Sequence, residues 1–163
     1  MSQSLPTVLV VDDEVRSQEA LRRTLEEDFT VFTAASAEAA AVIMAREWVH
    51  IVLCDQRMPG ASGVQFLTEV REKWPDAVRI IISGYTDSED IIAGINEAGI
   101  YQYLLKPWQP EQLLLTLKSA ANVWRLQQNN QRLSLELRAA EPVLASKVEM
   151  KYERVKRELG LDG

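Results

Sequence analysis

A single cysteine in 163 residues excludes an intrachain disulfide framework and most thiolate metal sites. A single histidine, His50, excludes any site that needs paired imidazoles. Cations are in the minority: 18 Lys and Arg against 24 Asp and Glu leave a formal net charge of -6. That balance argues against a free-standing nucleic-acid binder, because phosphate backbones reward clustered positive charge. No apolar run approaches a membrane span, and Met1 to Pro6 lacks the basic and apolar regions of a signal peptide. A soluble cytoplasmic chain without membrane contact is the expectation. What is present is 47% apolar residues, enough for a real core, in a length that suits one domain plus an appendage.

Residues from about Thr7 to Val123 alternate short apolar runs with amphipathic stretches. Val8-Leu9-Val10-Val11, Val31-Phe32-Thr33-Ala34, Ile51-Val52-Leu53-Cys54, Val78-Arg79-Ile80-Ile81-Ile82 and Tyr101-Gln102-Tyr103-Leu104-Leu105 read as five strands. Near-continuous β-branched runs suit strands buried on both faces of a parallel sheet. Helical periodicity fills the gaps: Val15 to Glu27, an Ala-rich Ala37 to Glu47, and a helix carrying Val64, Leu67, Val70, Arg71 and Trp74 that Pro75 stops. A fourth, Ser88 to Ala98, has Thr86-Asp87 as expected caps and Gly99 at its end, and Pro110 opens a fifth. Five strands alternating with five helices, joined by right-handed crossovers, imply a flavodoxin-like three-layer α/β sandwich with a parallel sheet in the order 2-1-3-4-5.

Polar residues follow four of the strands: Asp12 and Asp13 the first, Asp55 the third, Ser83 the fourth and Lys106 the fifth. Open α/β sheets bind ligands outside the carboxyl ends of their strands, where strand order reverses. The 2-1-3-4-5 order sets the first and third strands side by side, so three carboxylates converge. They repel unless a cation neutralises them, and a hard, oxygen-loving divalent ion, Mg2+ foremost, answers that need. A carboxylate can attack phosphorus to form an acyl phosphate. Lys106 would pair with a phosphoryl oxygen as a point charge, and the Ser83 hydroxyl would bond another.

Val10-Val11-Asp12-Asp13-Glu14, Asp55-Gln56-Arg57-Met58-Pro59-Gly60, Ser83-Gly84 and Lys106-Pro107 together resemble the motifs of response-regulator receiver domains, over roughly Thr7 to Ala121. The resemblance implies a two-component signalling protein that takes a phosphoryl group from a sensor histidine kinase onto Asp55. It implies that Asp13 and Asp55 bind Mg2+, with Asp12 helping directly or through water and the Arg57 backbone carbonyl completing the set. It implies that Ser83 and Lys106 hold the phosphoryl group, that Tyr103 is the switch aromatic and that the Lys106-Pro107 bond is cis. Such a chain catalyses only its own phosphorylation and dephosphorylation and is not a turnover enzyme. The wording around Asp55 and Lys106-Pro107-Trp108 is similar to that of NtrC-type transcriptional activators. Cys54 to Gly60, Thr68 to Trp74, Ile81-Ser83-Gly84-Tyr85-Thr86-Asp87 and Lys106 to Leu113 resemble their hydrogenase-regulating branch.

Blander readings accompany these. Asp12-Asp13 would serve as helix caps and Asp55 to Gly60 as a turn. Cys54 reads as a small core residue and His50 as a surface or strand-edge residue. Trp108 stays open between signalling and packing.

Beyond Val123 the chain is rich in Gln, Asn, Leu, Arg, Lys and Glu. Val123, Leu126, Asn130, Leu133, Leu137, Ala140 and Leu144 follow alternating three- and four-residue steps, a coiled-coil seam with Asn130 at a core-type position. Pro142 is expected to interrupt it, Lys147 to Leu159 to resume as a charged amphipathic stretch, and Gly160-Leu161-Asp162-Gly163 to end it. The expected division is a receiver over residues 1–121 and, over 122–163, a helical linker that dimerises and leads to an output domain absent from this chain. DNA would be reached only through that output domain. The alternative is a dimeric interaction module whose pocket is not used as a switch.

Overall fold

The computed structural model describes residues 4–160, apart from the side chains of Tyr85 and residues 143–146. The Leu144 side chain of the expected seam and Leu161-Asp162-Gly163 of the expected break therefore lie outside the described residues. Five strands, β1 (Thr7–Val11), β2 (Thr30–Ala34), β3 (Ile51–Asp55), β4 (Val78–Ser83) and β5 (Gln102–Leu105), alternate with α1 (Val15–Leu25), α2 (Ala37–Arg46), α3 (Gly63–Lys73), α4 (Ser88–Ala98) and α5 (Pro110–Glu158). All pairings are parallel and the order is β2-β1-β3-β4-β5. This is the flavodoxin-like sandwich expected from the sequence.

The apolar runs have a simple cause. Successive side chains of a strand point to opposite faces, and both faces of this sheet are covered. Val8 and Val10 join Leu21 and Leu25 of α1 and Leu113, Leu117 and Ala120 of α5 in one core layer. Leu9 and Val11 join Ala40 and Met44 of α2, Phe66, Leu67 and Val70 of α3, and Ile91 of α4 in the other. Each such fully buried aliphatic or aromatic side chain contributes roughly 1.5–3 kcal/mol.

Local signals set the helix ends. The Ser36 hydroxyl accepts from the Ala39 N–H at 3.1 Å ahead of α2, and Ser62 with Gln65 forms a reciprocal capping box on α3. Gly99 closes α4 in the left-handed conformation, φ 59°. The expected caps at Thr86-Asp87 are different in the structure. Asp87 occupies the N-cap position of α4 but makes no side-chain capping bond; its carboxylate is engaged by Arg57 at 2.7 Å.

His50, expected at the surface or at a strand edge, is half-buried immediately before β3. Its Nδ1 accepts from the Thr7 N–H at 2.8 Å, and its ring meets Trp124 edge-on with centroids 4.2 Å apart. Burial holds its pKa below the ordinary histidine value, which keeps Nδ1 an acceptor at neutral pH.

By its contacts the chain divides into Met1–Arg125, which holds the sheet, and Leu126–Gly163. The expected interruption at Pro142 does not occur: α5 runs through it without a break. An interior proline removes one backbone bond and costs about 3 kcal/mol or more. Ala139, Ala140 and Glu141 before it and the Ala, Leu, Lys, Glu and Arg that follow are good helix formers, and the helix persists. Among the described residues no helix is long and apolar enough to cross a membrane.

Candidate functional site

The site is built where β1, β3, β4 and β5 end. Register brings Val11 opposite Cys54 and Ser83 opposite Leu105, so the residues that follow these pairs share one edge of the sheet. Carboxylate oxygens of Asp12, Asp13 and Asp55 all lie within 4.8 Å of one another. Asp12 and Asp55 are buried and Asp13 is exposed. Lys106 Nζ stands 3.0 Å from Asp55 Oδ1. Asp55 and Lys106 line a small cavity of about 160 Å³ with Arg57, Gly84, Thr86 and Asp87. A larger, open hollow of about 760 Å³ adjoins it along Asp13, Gln56, Arg57 and Met58. Asp55 and Lys106 border the small cavity, not the large one.

Backbone bonds hold each group in place. The Asp12 carboxylate accepts from the Glu14 N–H at 2.9 Å, and the Asp12 carbonyl accepts from Gln18 Nε2 at 2.7 Å. Neither Asp12 nor Asp13 is the N-cap of α1, which is Glu14. The Asp55 carboxylate accepts from the Arg57 N–H. Gln56 ties the turn after β3 at both ends. Its N–H donates to the Ile82 carbonyl, its carbonyl accepts from the Gly63 N–H, and its Oε1 accepts from the Val64 N–H. The Lys106 N–H donates to the Ser83 carbonyl at 2.8 Å, and the next peptide, Lys106-Pro107, is cis.

Ser83 is fully buried, yet its Oγ has no hydrogen-bond partner among the described residues. An unsatisfied buried hydroxyl costs roughly 1–3 kcal/mol, so it is a group for which a polar ligand would be favourable. Cys54 is buried, burial pushes its thiol pKa well up, and it is an inert core residue. Trp108 is half-buried and packs on the α1/α5 side of the core. Tyr103, 40% exposed, is on β5, opposite Ile81 of β4.

One feature was not visible in the sequence. The Arg57 side chain turns toward α4: Nε pairs with Asp87 Oδ1 at 2.7 Å and Nη2 donates to Thr86 Oγ1 at 2.9 Å. The turn after β3 is thus linked to the loop after β4. The only available clue was the adjacency of β3 and β4, which places their following loops together.

Burial is the first cause raising the Asp55 pKa; Lys106 and the Arg57 N–H oppose it, and Asp13 adds to it. Burial is also the first cause for Asp12, eased by the Glu14 N–H and reinforced by Asp55. Three carboxylates with one ammonium leave an excess of negative charge. A small divalent cation with oxygen preference fits this donor set, in which carboxylates supply the charge and open space remains for water or phosphate oxygens.

The sequence matches the family model described as the response regulator receiver domain over residues 8–118. It is 60% identical over 151 residues to the hydrogenase transcriptional regulatory protein HoxA of Cupriavidus necator, covering 93% of this chain and 31% of that protein. It is 57% identical over 145 residues to HoxA of Bradyrhizobium diazoefficiens, covering 89% and 30% respectively. The chain therefore spans about a third of the length of these curated relatives. The fold superimposes on the signal receiver domain of an HD domain-containing protein from Pseudomonas fluorescens Pf-5 with a TM-score of 0.75 at 28% identity, covering 79% of this chain and 96% of that one. The resemblance to NtrC-type regulators and to their hydrogenase-regulating branch holds, and this chain belongs to the response-regulator receiver family.

Proposed function

We propose that the chain is a phosphorylation-driven switch in which Asp55 accepts a phosphoryl group from a sensor histidine kinase. The observation that carries this is the Asp55 carboxylate, within 4.8 Å of two further carboxylates and 3.0 Å from Lys106 Nζ. An Asp55 oxygen attacks phosphorus, the P–N bond of the phosphohistidine breaks, and the electron pair stays on the imidazole, which takes up a proton. An acyl phosphate is the product. Asp12, Asp13, Asp55 and the Arg57 carbonyl would hold Mg2+, which when bound offsets repulsion between nucleophile and donor. Lys106 follows the charge onto a phosphoryl oxygen, and the unpartnered Ser83 hydroxyl donates to another. Movement of Ser83 draws the loop after β4 with it and lets Tyr103 turn inward, biasing a two-state surface on α4, β5 and α5. The chain turns over nothing besides its own phosphorylation and dephosphorylation.

In this reading residues 1–121 form the receiver and 122–163 a dimerising linker. The output is transcriptional control, of hydrogenase genes by similarity to the HoxA proteins, exerted in the cytoplasm with DNA contacted through the output domain.

The charge cluster gives a test independent of phosphorylation. Folding raises the Asp12 and Asp55 pKa values, so from the ordinary carboxylate range up to the raised values the folded state binds more protons than the unfolded one. Stability of the metal-free protein then falls as pH rises through that window. Asp12→Asn keeps the oxygen that accepts from Glu14 and removes the charge. Without divalent ions it is expected to be more stable than the wild type at neutral pH. Mg2+ is expected to raise the wild-type unfolding midpoint and to raise that of Asp12→Asn less. Thermal unfolding with and without Mg2+ measures both effects. A wild-type midpoint that Mg2+ does not move contradicts the proposed cation site.

A further inference from the structure

We infer that the distal part of α5 carries a seam with an eleven-residue repeat, made to pair in parallel and in register with a second copy of this chain as far as Leu159. The inference rests on the dimer proposed above and adds its geometry.

Because the helix does not stop at Pro142, its periodicity has to be counted straight through. Continued past Leu144, alternating three- and four-residue steps fall on Lys147, Lys151, Arg154 and Glu158, all charged. Counted in elevens, they do not: Leu126, Leu137, Val148 and Leu159 form one row, and Leu133, Leu144 and Val155 a second. The first row is exposed by 62, 64, 68 and 66%, and Leu133 and Val155 by 49 and 42%. Asn130, Glu141 and Tyr152 occupy one further, more polar position of the same repeat. An eleven-residue repeat has about 3.67 residues per turn, close to the ~3.6 of an undistorted helix. The stripe therefore keeps to one side of α5 with a slight right-handed drift, where a heptad seam would need a left-handed supercoil. Pro142 sits roughly 140° around the helix from Leu137, away from the stripe, which explains how a seam tolerates it.

The borders of the stripe identify the occupant. Glu136 and Arg138 lie on opposite borders at nearly one height, and so do Lys147 and Glu149. When two copies run parallel and level, each border faces the other border of the second helix. Glu136 then meets an arginine and Lys147 a glutamate. An antiparallel pair loses that matching, and an unrelated apolar partner has no use for it. Asn130 would meet its own counterpart, as register-setting polar core residues do.

Single-cysteine substitutions under mild oxidation test this, read as the shift from one-chain to two-chain mass on non-reducing gels, beside sedimentation of the unmodified chain. Native Cys54 is buried and serves as the silent background. Leu133→Cys, Val148→Cys and Val155→Cys are expected to cross-link, and Lys147→Cys and Arg154→Cys are not. Cross-links at Leu133, Lys147 and Arg154 overturn the eleven-residue seam in favour of a heptad and leave the dimer standing. Cross-linking at Leu133 alone shows a seam that ends before Pro142 and also overturns the inference. A two-chain mass in sedimentation with no same-site cross-link, but a bond when Leu133→Cys and Val155→Cys are mixed, means an antiparallel pair and overturns it too. A one-chain mass with no cross-link removes the dimer reading itself.

Discussion

Lys106→Met is expected to lower the rate of phosphoryl uptake at Asp55 by about 10²- to 10³-fold, the scale of removing one preorganised group that faces developing charge. Two effects combine. Lys106 Nζ is the cation 3.0 Å from Asp55 Oδ1 and opposes the burial that raises the Asp55 pKa. Without it the carboxyl pKa rises further, less carboxylate is available, and the acidic limb of the uptake profile moves to higher pH. The phosphoryl oxygens also lose their point charge. Stability changes little by comparison, because the Lys106 side chain is 40% exposed and partly exposed ion pairs contribute roughly 0–1 kcal/mol. Time courses of intact mass with acetyl phosphate and Mg2+, at several pH values, separate these effects. Lys106→Arg is expected to recover part of the rate, since it restores the charge with a planar, bulkier head. An unchanged rate and pH profile in Lys106→Met would remove the lysine from the chemistry.

Gly63→Ala is expected to destabilise the fold by about 2–3 kcal/mol and to slow uptake at Asp55 as well. A Cβ on Gly63 would lie 2.5 Å from the Asp55 carbonyl oxygen and 2.9 Å from the Gln56 Cα. Both are backbone atoms at the strand end that carries Asp55, so no side chain can rotate away. Either α3 shifts outward, weakening the Phe66, Leu67 and Val70 packing, or the end of β3 shifts and misplaces Asp55. The Gly63 N–H to Gln56 carbonyl bond suffers in both cases. Chemical denaturation gives the stability loss. A variant as stable as the wild type would mean that the helix start accommodates a methyl group and that this close approach does not fix the acceptor.

The parts of this fold that could be read from sequence are those where one physical demand leaves a local trace. β1 and β3 are buried on both faces, so Val8 to Val11 and Ile51 to Cys54 are apolar up to Asp12 and Asp55. Gly99 and Pro110 mark helix ends because left-handed backbone and a missing N–H are single-residue effects. The acidic cluster was legible because strand order alone brings β1 beside β3. Features made by residues far apart in sequence left no such trace. Arg57 and Asp87 meet 30 positions apart, which removed Asp87 from the capping role its position suggested. His50 is drawn inward by the Thr7 backbone and by Trp124, neither of which is near it in the chain. Pro142 misled in the opposite way: its local cost is real, but the helix formers around it outweigh that cost.

Intact mass after incubation with acetyl phosphate and Mg2+, comparing the wild type with Asp55→Asn, tests the central claim most directly. The expected result is a single phosphoryl adduct on the wild type, absent from Asp55→Asn and absent without Mg2+. A folded wild-type protein that takes up no phosphoryl group, or an adduct that survives Asp55→Asn, would contradict phosphorylation of Asp55. The first of those outcomes would leave the long helix, as a pairing module, the chain's main functional element.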